Sequence, residues 1–242
     1  MPNQKYLVCN LKANKLKDEM IEYEKELKSI NLIDNKILIV CPSFIYLYMF
    51  QDEKYYLGSQ DVSEYTEGAH TGEITASQLE SMNVKYALVG HSERKQVFKE
   101  AENTIINKIK KSYHSHIRPI YFVGENMSEK NKNQTKGVLR KQLRNIINEV
   151  PDYKREKLLI VYEPVWAIGS GITPEQEGIE KRIKYIKDFT SASYKINIPV
   201  LYGGSVNTDN IVEILKIQNI DGVVIGESSQ DVKELKEIYN KL

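Results

Sequence analysis

The sequence predicts a single α/β domain, a (β/α)8 barrel, and three observations predict it. Short apolar runs recur along the 242 residues, amphipathic stretches of helical spacing separate them, and the runs are continuously apolar rather than alternating. A continuous apolar run of about 4–8 residues reads as a strand buried on both faces, the habit of parallel sheets. Parallel neighbours need a long return connection, and the amphipathic stretch after each run supplies it. A closed barrel of eight such units takes about 250 residues and leaves no open edge. An open, doubly wound sheet is the rival that the pattern alone leaves standing. No low-complexity linker or break in composition divides the chain, so residues 1–242 are read as one domain.

The first run, Tyr6–Cys9, is followed by Lys15–Ser29, whose charges lie on one helical face. The second, Ile37–Cys41, is followed only by a short piece, Phe44–Gln51. Tyr55–Ser59 and Ser77–Met82 make the third pair, and Tyr86–Val89 with Lys95–Ser112 the fourth. Ile117–Val123 leads to Ser128–Glu149, and Leu158–Tyr162 leads to Pro174–Ser193. Val200–Tyr202 with Asp209–Gln218, then Val223–Ile225 with Asp231–Leu242, complete the set. The Lys-rich pieces Lys108–Lys111 and Lys181–Lys187 carry apolar residues between their lysines and read as solvated helix faces.

Composition narrows the function classes. A formal net charge of +1 gives no electrostatic footprint for nucleic acid or an anionic membrane, so any anion site is local. The apolar run near the N-terminus is too short for a secretory signal, and no stretch approaches the ~18 apolar residues of a membrane span. Cys9 and Cys41 lie far apart in the chain and read as reduced, packed thiols in a cytoplasmic protein.

In an α/β barrel the active site forms at the C-terminal ends of the strands. After the first run stands Asn10-Leu11-Lys12, and after the fourth Gly90-His91-Ser92-Glu93-Arg94. Glu163-Pro164-Val165-Trp166-Ala167-Ile168-Gly169-Ser170-Gly171 follows the sixth, Gly203-Gly204-Ser205 the seventh and Gly226 the eighth. Glycine turns leading into helices expose N–H groups at a positive dipole end, which suits a phosphate. A histidine at a helix start has its cationic form disfavoured and can serve as a neutral donor. A carboxylate beside it can act as base toward a carbon acid. No nucleotide fingerprint or cluster of metal ligands is present, so neither cofactor nor metal is expected. The inventory points to proton transfer on a small phosphorylated molecule.

Asn10-x-Lys12, Gly68-Ala69-His70-Thr71-Gly72-Glu73, Val89–Arg94, Tyr162–Gly169 and Tyr202–Val206 together resemble the triosephosphate isomerase family, in order and spacing over nearly the whole chain. The resemblance implies interconversion of dihydroxyacetone phosphate and D-glyceraldehyde 3-phosphate, in glycolysis and gluconeogenesis. It implies Glu163 as the carbon base, His91 as the electrophile, Lys12 and Asn10 as binders of substrate and its oxyanion, and Glu93 as the residue ordering them. Backbone groups at Gly169, Ser205 and Gly226 would hold the phosphate, with Glu227 where the family usually has a second glycine. Ala167–Gly171 resembles a closing lid. The loop Gly68–Glu73 resembles one that enters a second subunit, with Thr71 at the partner's site, which implies a homodimer. This chain also departs from the family at Leu11, usually Trp, at Phe122, commonly Cys, and after Gly171, where about two residues are missing. The rival readings are another phosphate-binding barrel, such as a sugar-phosphate epimerase or aldolase, and a scaffold with impaired catalysis.

Overall fold

A computed structural model of the chain describes residues 4–50, 54–168 and 174–242. Among the described residues there are eight strands: β1 (Lys5–Asn10), β2 (Lys36–Cys41), β3 (Tyr56–Ser59), β4 (Tyr86–Val89), β5 (Arg118–Val123), β6 (Leu159–Tyr162), β7 (Val200–Gly203) and β8 (Gly222–Ile225). They pair in sequence order, all parallel, and β8 returns to pair with β1, so the sheet is a closed barrel.

The unbroken apolar runs have the predicted consequence of burial on both faces. Tyr6 and Val8 of β1 belong to an apolar cluster made only of strand residues, with Ile39, Leu88, Phe122 and Val161 among its members. Leu7 and Cys9, the alternate residues, belong to a larger cluster that includes helix residues such as Met20, Leu139, Ile183 and Leu235. The first cluster therefore fills the barrel and the second lies between barrel and helices. Cys9 and Cys41 fall in these two different clusters, and burial pushes both free thiols up.

The outer layer consists of α1 (Lys17–Leu27), α2 (Ala76–Ser81), α3 (Ser92–Gln96), α4 (Glu102–His114), α5 (Met127–Asn131), α6 (Thr135–Ile147), α7 (Asp152–Arg155), α8 (Gln176–Tyr194), α9 (Ile211–Leu215) and α10 (Val232–Lys241). Phe44–Met49 is a 3-10 turn rather than a helix. Two predicted helices are each broken in two. Lys95–Ser112 divides between Gln96 and Glu102, in a connection where Lys99 takes φ 55°, and Ser128–Glu149 divides at Asn133, with φ 56°.

Lys108 corrects the reading of Lys108–Lys111 as a solvated face. It is buried on the stripe that Ile105, Ile109 and Ser112 also occupy, and its ammonium pairs with Asp61, at 2.7 Å, and with Glu100. Two carboxylates brought in by other segments make burial of a lysine tolerable there, and local periodicity does not register them.

Candidate active site

Because all strands run one way, the segments after β1, β4, β6, β7 and β8 meet at one end of the barrel. They enclose a cavity of about 550 Å³ lined by Asn10, Lys12, His91, Glu93, Phe122 and Glu163, together with Gly203–Asn207 and Ile225–Ser228. The described site residues suggested by sequence are thus in one place. Gly169 lies outside the described residues, as does the stretch 169–171 of the suggested lid.

Lys12 holds an uncommon backbone. Its φ is 50°, in the left-handed region that non-glycine residues rarely enter. Its N–H donates to Asn10 Oδ1 at 3.1 Å, while its carbonyl accepts from Gln60 Nε2 at 2.8 Å and Ser43 Oγ at 2.9 Å. Three hydrogen bonds, from the end of β1 and from the segments after β2 and β3, therefore fix a turn that a lysine would not choose alone. The side chain then runs past Gly226, where a Cβ would lie 3.2 Å from Lys12 Cε, and its Nζ meets Glu93 Oε1 at 2.5 Å. Burial alone would raise the Glu93 carboxyl, but the hydrogen bond and the charge of Lys12 hold it below its usual range.

His91 and Glu163 are placed by their strands. After β4, Gly90 takes φ 69°, which glycine adopts without strain, and turns the chain into α3. His91 is the N-cap of α3, and its Nδ1 accepts the Glu93 N–H at 3.2 Å. A nitrogen that accepts cannot carry the ring hydrogen, so that hydrogen belongs to Nε2. Nε2 faces Glu163 Oε1 at 3.3 Å. Glu163 follows β6, its backbone tied by N–H donation to Val123 O at 2.8 Å, and its Oε2 accepts from the Ser92 N–H at 3.0 Å. Both side chains are almost wholly buried. The Phe122 ring packs edge-on to the imidazole, centroids 4.9 Å apart, and forms part of the cavity wall.

At the glycine-rich end, Ser205 and Gly226 border the same cavity as Lys12. Gly226 leads into a 3-10 turn, Glu227–Ser229, whose leading N–H groups have no partner within the turn. Glu227 is exposed, avoids positive φ, and its carboxylate pairs with none of the described residues. Thr71 lies away from this cavity, in a wholly exposed stretch of residues 65–73.

Several positioning residues escaped the sequence. Ser43 and Gln60 hold Lys12, Ser92 holds Glu163, and Lys95 donates to Phe122 O at 2.7 Å beneath the site. Gln60 directly follows β3, so its place after a strand was a signal available to find it. Burial pushes the Lys95 ammonium down to about 8, against the upward pull of Glu163, Glu100 and Glu102.

The family model for triosephosphate isomerase matches residues 5–242. The chain belongs to the triosephosphate isomerase family. It is 34% identical over 240 residues to a triosephosphate isomerase of Alkaliphilus oremlandii, covering 96% of each chain. It is 35% identical over 239 residues to one from Clostridium botulinum (strain Okra / Type B1), again covering 96% of each. One from Colwellia psychrerythraea is 33% identical over 252 residues, with 98% of this chain and 97% of that one covered. Among the described residues no helix is long and apolar enough to cross a membrane. Nor do those residues contain a group of three or more His, Cys, Asp or Glu placed to hold a metal.

Proposed function

We propose that this member of the triosephosphate isomerase family interconverts dihydroxyacetone phosphate and D-glyceraldehyde 3-phosphate through an enediolate. It does so without a cofactor, as one catalytic domain over residues 1–242, in glycolysis and gluconeogenesis in the cytoplasm. The observation that carries the reading is a buried carboxylate, Glu163, set 3.3 Å from the Nε2 of an N-cap histidine, in a cavity that also contains a lysine and two glycine turns.

Glu163 takes a proton from C1 of dihydroxyacetone phosphate, and the electron pair moves through C1–C2 onto the carbonyl oxygen. The His91 Nε2–H donates to that oxygen, and the Lys12 ammonium offsets the negative charge as it forms. Transfer of the hydroxyl hydrogen between O1 and O2 and return of the carbon-bound proton to C2 give the aldehyde. The Ser92 N–H holds Glu163 before substrate arrives, so the carboxylate must turn from it to reach carbon. Asn10 and Glu93 set the place of Lys12. Backbone groups at Gly169, Ser205 and Gly226 hold the phosphate, beside Glu227. The loop Gly68–Glu73 joins two copies of the chain into a homodimer.

A coupled assay with glyceraldehyde 3-phosphate tests the reading and separates it from an epimerase, an aldolase and an inactive scaffold. Loss of a general base costs about 10²–10⁴ in rate. We predict that Glu163→Gln lowers kcat at least ~10²-fold and leaves KM within a few-fold. A variant that keeps more than half of the wild-type kcat would remove Glu163 from this role.

A further inference from the structure

The geometry points to a second anion site, distant from the catalytic cavity, that takes a small molecule bearing several phosphate groups. It lies on the outer face of the barrel, where α5 and the first turns of α6 border α8. A cavity of about 770 Å³ opens there, a size within the usual range for small-molecule sites. Five cationic side chains line it, Lys130, Lys136, Lys181, Arg182 and Lys184, against one carboxylate, Asp188. The chain as a whole carries a net charge of +1, so general basicity does not account for this concentration.

The cations divide into two sets. Lys181 pairs with Glu177 at 2.6 Å, and Lys184 with Asp188 at 2.9 Å. Among the described residues, Lys130, Lys136 and Arg182 meet no carboxylate. Lys130 Nζ instead sits 3.1 Å from the centroid of the Trp166 ring, and Lys136 Nζ 5.9 Å from that of Tyr185. Among the described residues, Arg182 spends one Nη1 hydrogen on the Gly178 carbonyl at 3.2 Å and keeps the rest of its donor fork. The first turn of α6 carries no acidic residue to offset its N-terminal dipole.

Three cations without an ion-pair partner among the described residues carry more charge than one phosphate dianion, and the cavity exceeds what a triose phosphate fills. A chain of phosphates matches both. Tyr185 and Leu139 add an apolar wall suited to an organic portion. The ligand is therefore either a bare polyphosphate or a nucleotide-like polyphosphate ester.

Calorimetric titration with inorganic triphosphate tests the site, using Lys12→Met protein so that the catalytic cavity contributes little. At an ionic strength of ~20 mM, where the Debye length is about 20 Å, one triphosphate should bind per chain. Lys136→Gln/Arg182→Gln should weaken it at least ~10-fold, and inorganic phosphate should bind at least ~10-fold less tightly than triphosphate. Trp166 is the chain's one tryptophan, so its emission should change as Lys130 is drawn toward the ligand. Magnesium-free ATP distinguishes the sources: tighter binding than triphosphate assigns a nucleotide, and equal or weaker binding assigns the phosphate chain alone. In otherwise wild-type protein the same double substitution should remove one triphosphate per chain and leave KM for the triose phosphate within about twofold. Absence of binding, or equal affinity in a folded Lys136→Gln/Arg182→Gln variant, overturns the proposal.

Discussion

Glu227 places a carboxylate at the mouth of the cavity where a phosphate is proposed to sit, and no described residue pairs with it. Two unit charges of the phosphate about 8 Å away, at an effective dielectric of ~40–80, imply roughly 1–2 kcal/mol of repulsion. We predict that Glu227→Gly lowers KM about 5- to 30-fold at low salt, with kcat nearly unchanged. The gain should fade as the Debye length falls to about 8 Å at ~0.15 M salt. An unchanged KM at low salt would show that the carboxylate is turned into solvent. Lys95 poses the opposite question, since here a cation is held where it is costly. Burial lowers its ammonium from the ordinary 10.5 to about 8, so between those values the unfolded chain binds more protons than the folded one. Stability gained from this group therefore rises with pH across that window, at up to about 1.4 kcal/mol per pH unit. Below pH 8 the full penalty applies. Relative to Lys95→Met, wild-type protein should become more stable from pH 7.5 to 10 in urea unfolding. A pH-independent difference between the two proteins would contradict the assignment.

Secondary-structure elements show where sequence was readable and where it was not. Strand cores were legible because burial on both faces leaves a continuous apolar run, and all eight runs became strands with no end shifted by more than one residue. The break at Asn133 had a readable signal, since asparagine enters the left-handed region more readily than most residues. The break at Lys99 had none, because lysine has no such preference. Likewise Glu163, His91 and Lys12 stood out by their place after strands, whereas Ser43 and Gln60 act through the Lys12 carbonyl, a contact that spans 31 and 48 residues of chain. Lys195, like Lys99, takes a left-handed backbone, here as the C-cap of α8, with φ 60° and ψ 32°. Its side chain is exposed and makes no ion pair among the described residues, so backbone strain is the main effect to remove. A left-handed non-glycine residue costs about 1–2 kcal/mol, and glycine recovers this less the entropy it adds to the unfolded chain. Lys195→Gly should therefore raise stability by about 0.5–1 kcal/mol, read as a higher urea midpoint at constant slope. A lower midpoint would mean that the turn draws support from the lysine itself.

At the scale of the whole molecule, one sector of the surface leaves large apolar residues exposed. Leu16, Ile45, Tyr48, Val97 and Phe98 are large apolar residues left mainly exposed, on the segments that follow β1, β2 and β4. These strands are consecutive around the barrel with β3, whose following loop carries the exposed residues 65–73. That loop has a fixed shape: Ser63 N–H donates to Ile74 O at 2.9 Å across its base, and Tyr65 stacks on His70 with ring centroids 4.2 Å apart. An ordered finger rimmed by apolar residues fits an interface between copies. The same sector bears Lys12 and His91, on the segments after β1 and β4, so loss of a partner would loosen the supports of both. Thr71 stands in the finger. If the proposed contact between copies forms there, an arginine would bring added volume and a charge into it, and a buried charge without a partner costs about 3–5 kcal/mol. We predict that wild-type protein sediments at twice the mass of the chain. Thr71→Arg should sediment at the chain mass and lose most of its isomerase activity, while Thr71→Ser should keep both properties. Wild-type protein that is a fully active monomer, or a Thr71→Arg variant that remains an active dimer, would place the interface elsewhere or remove it.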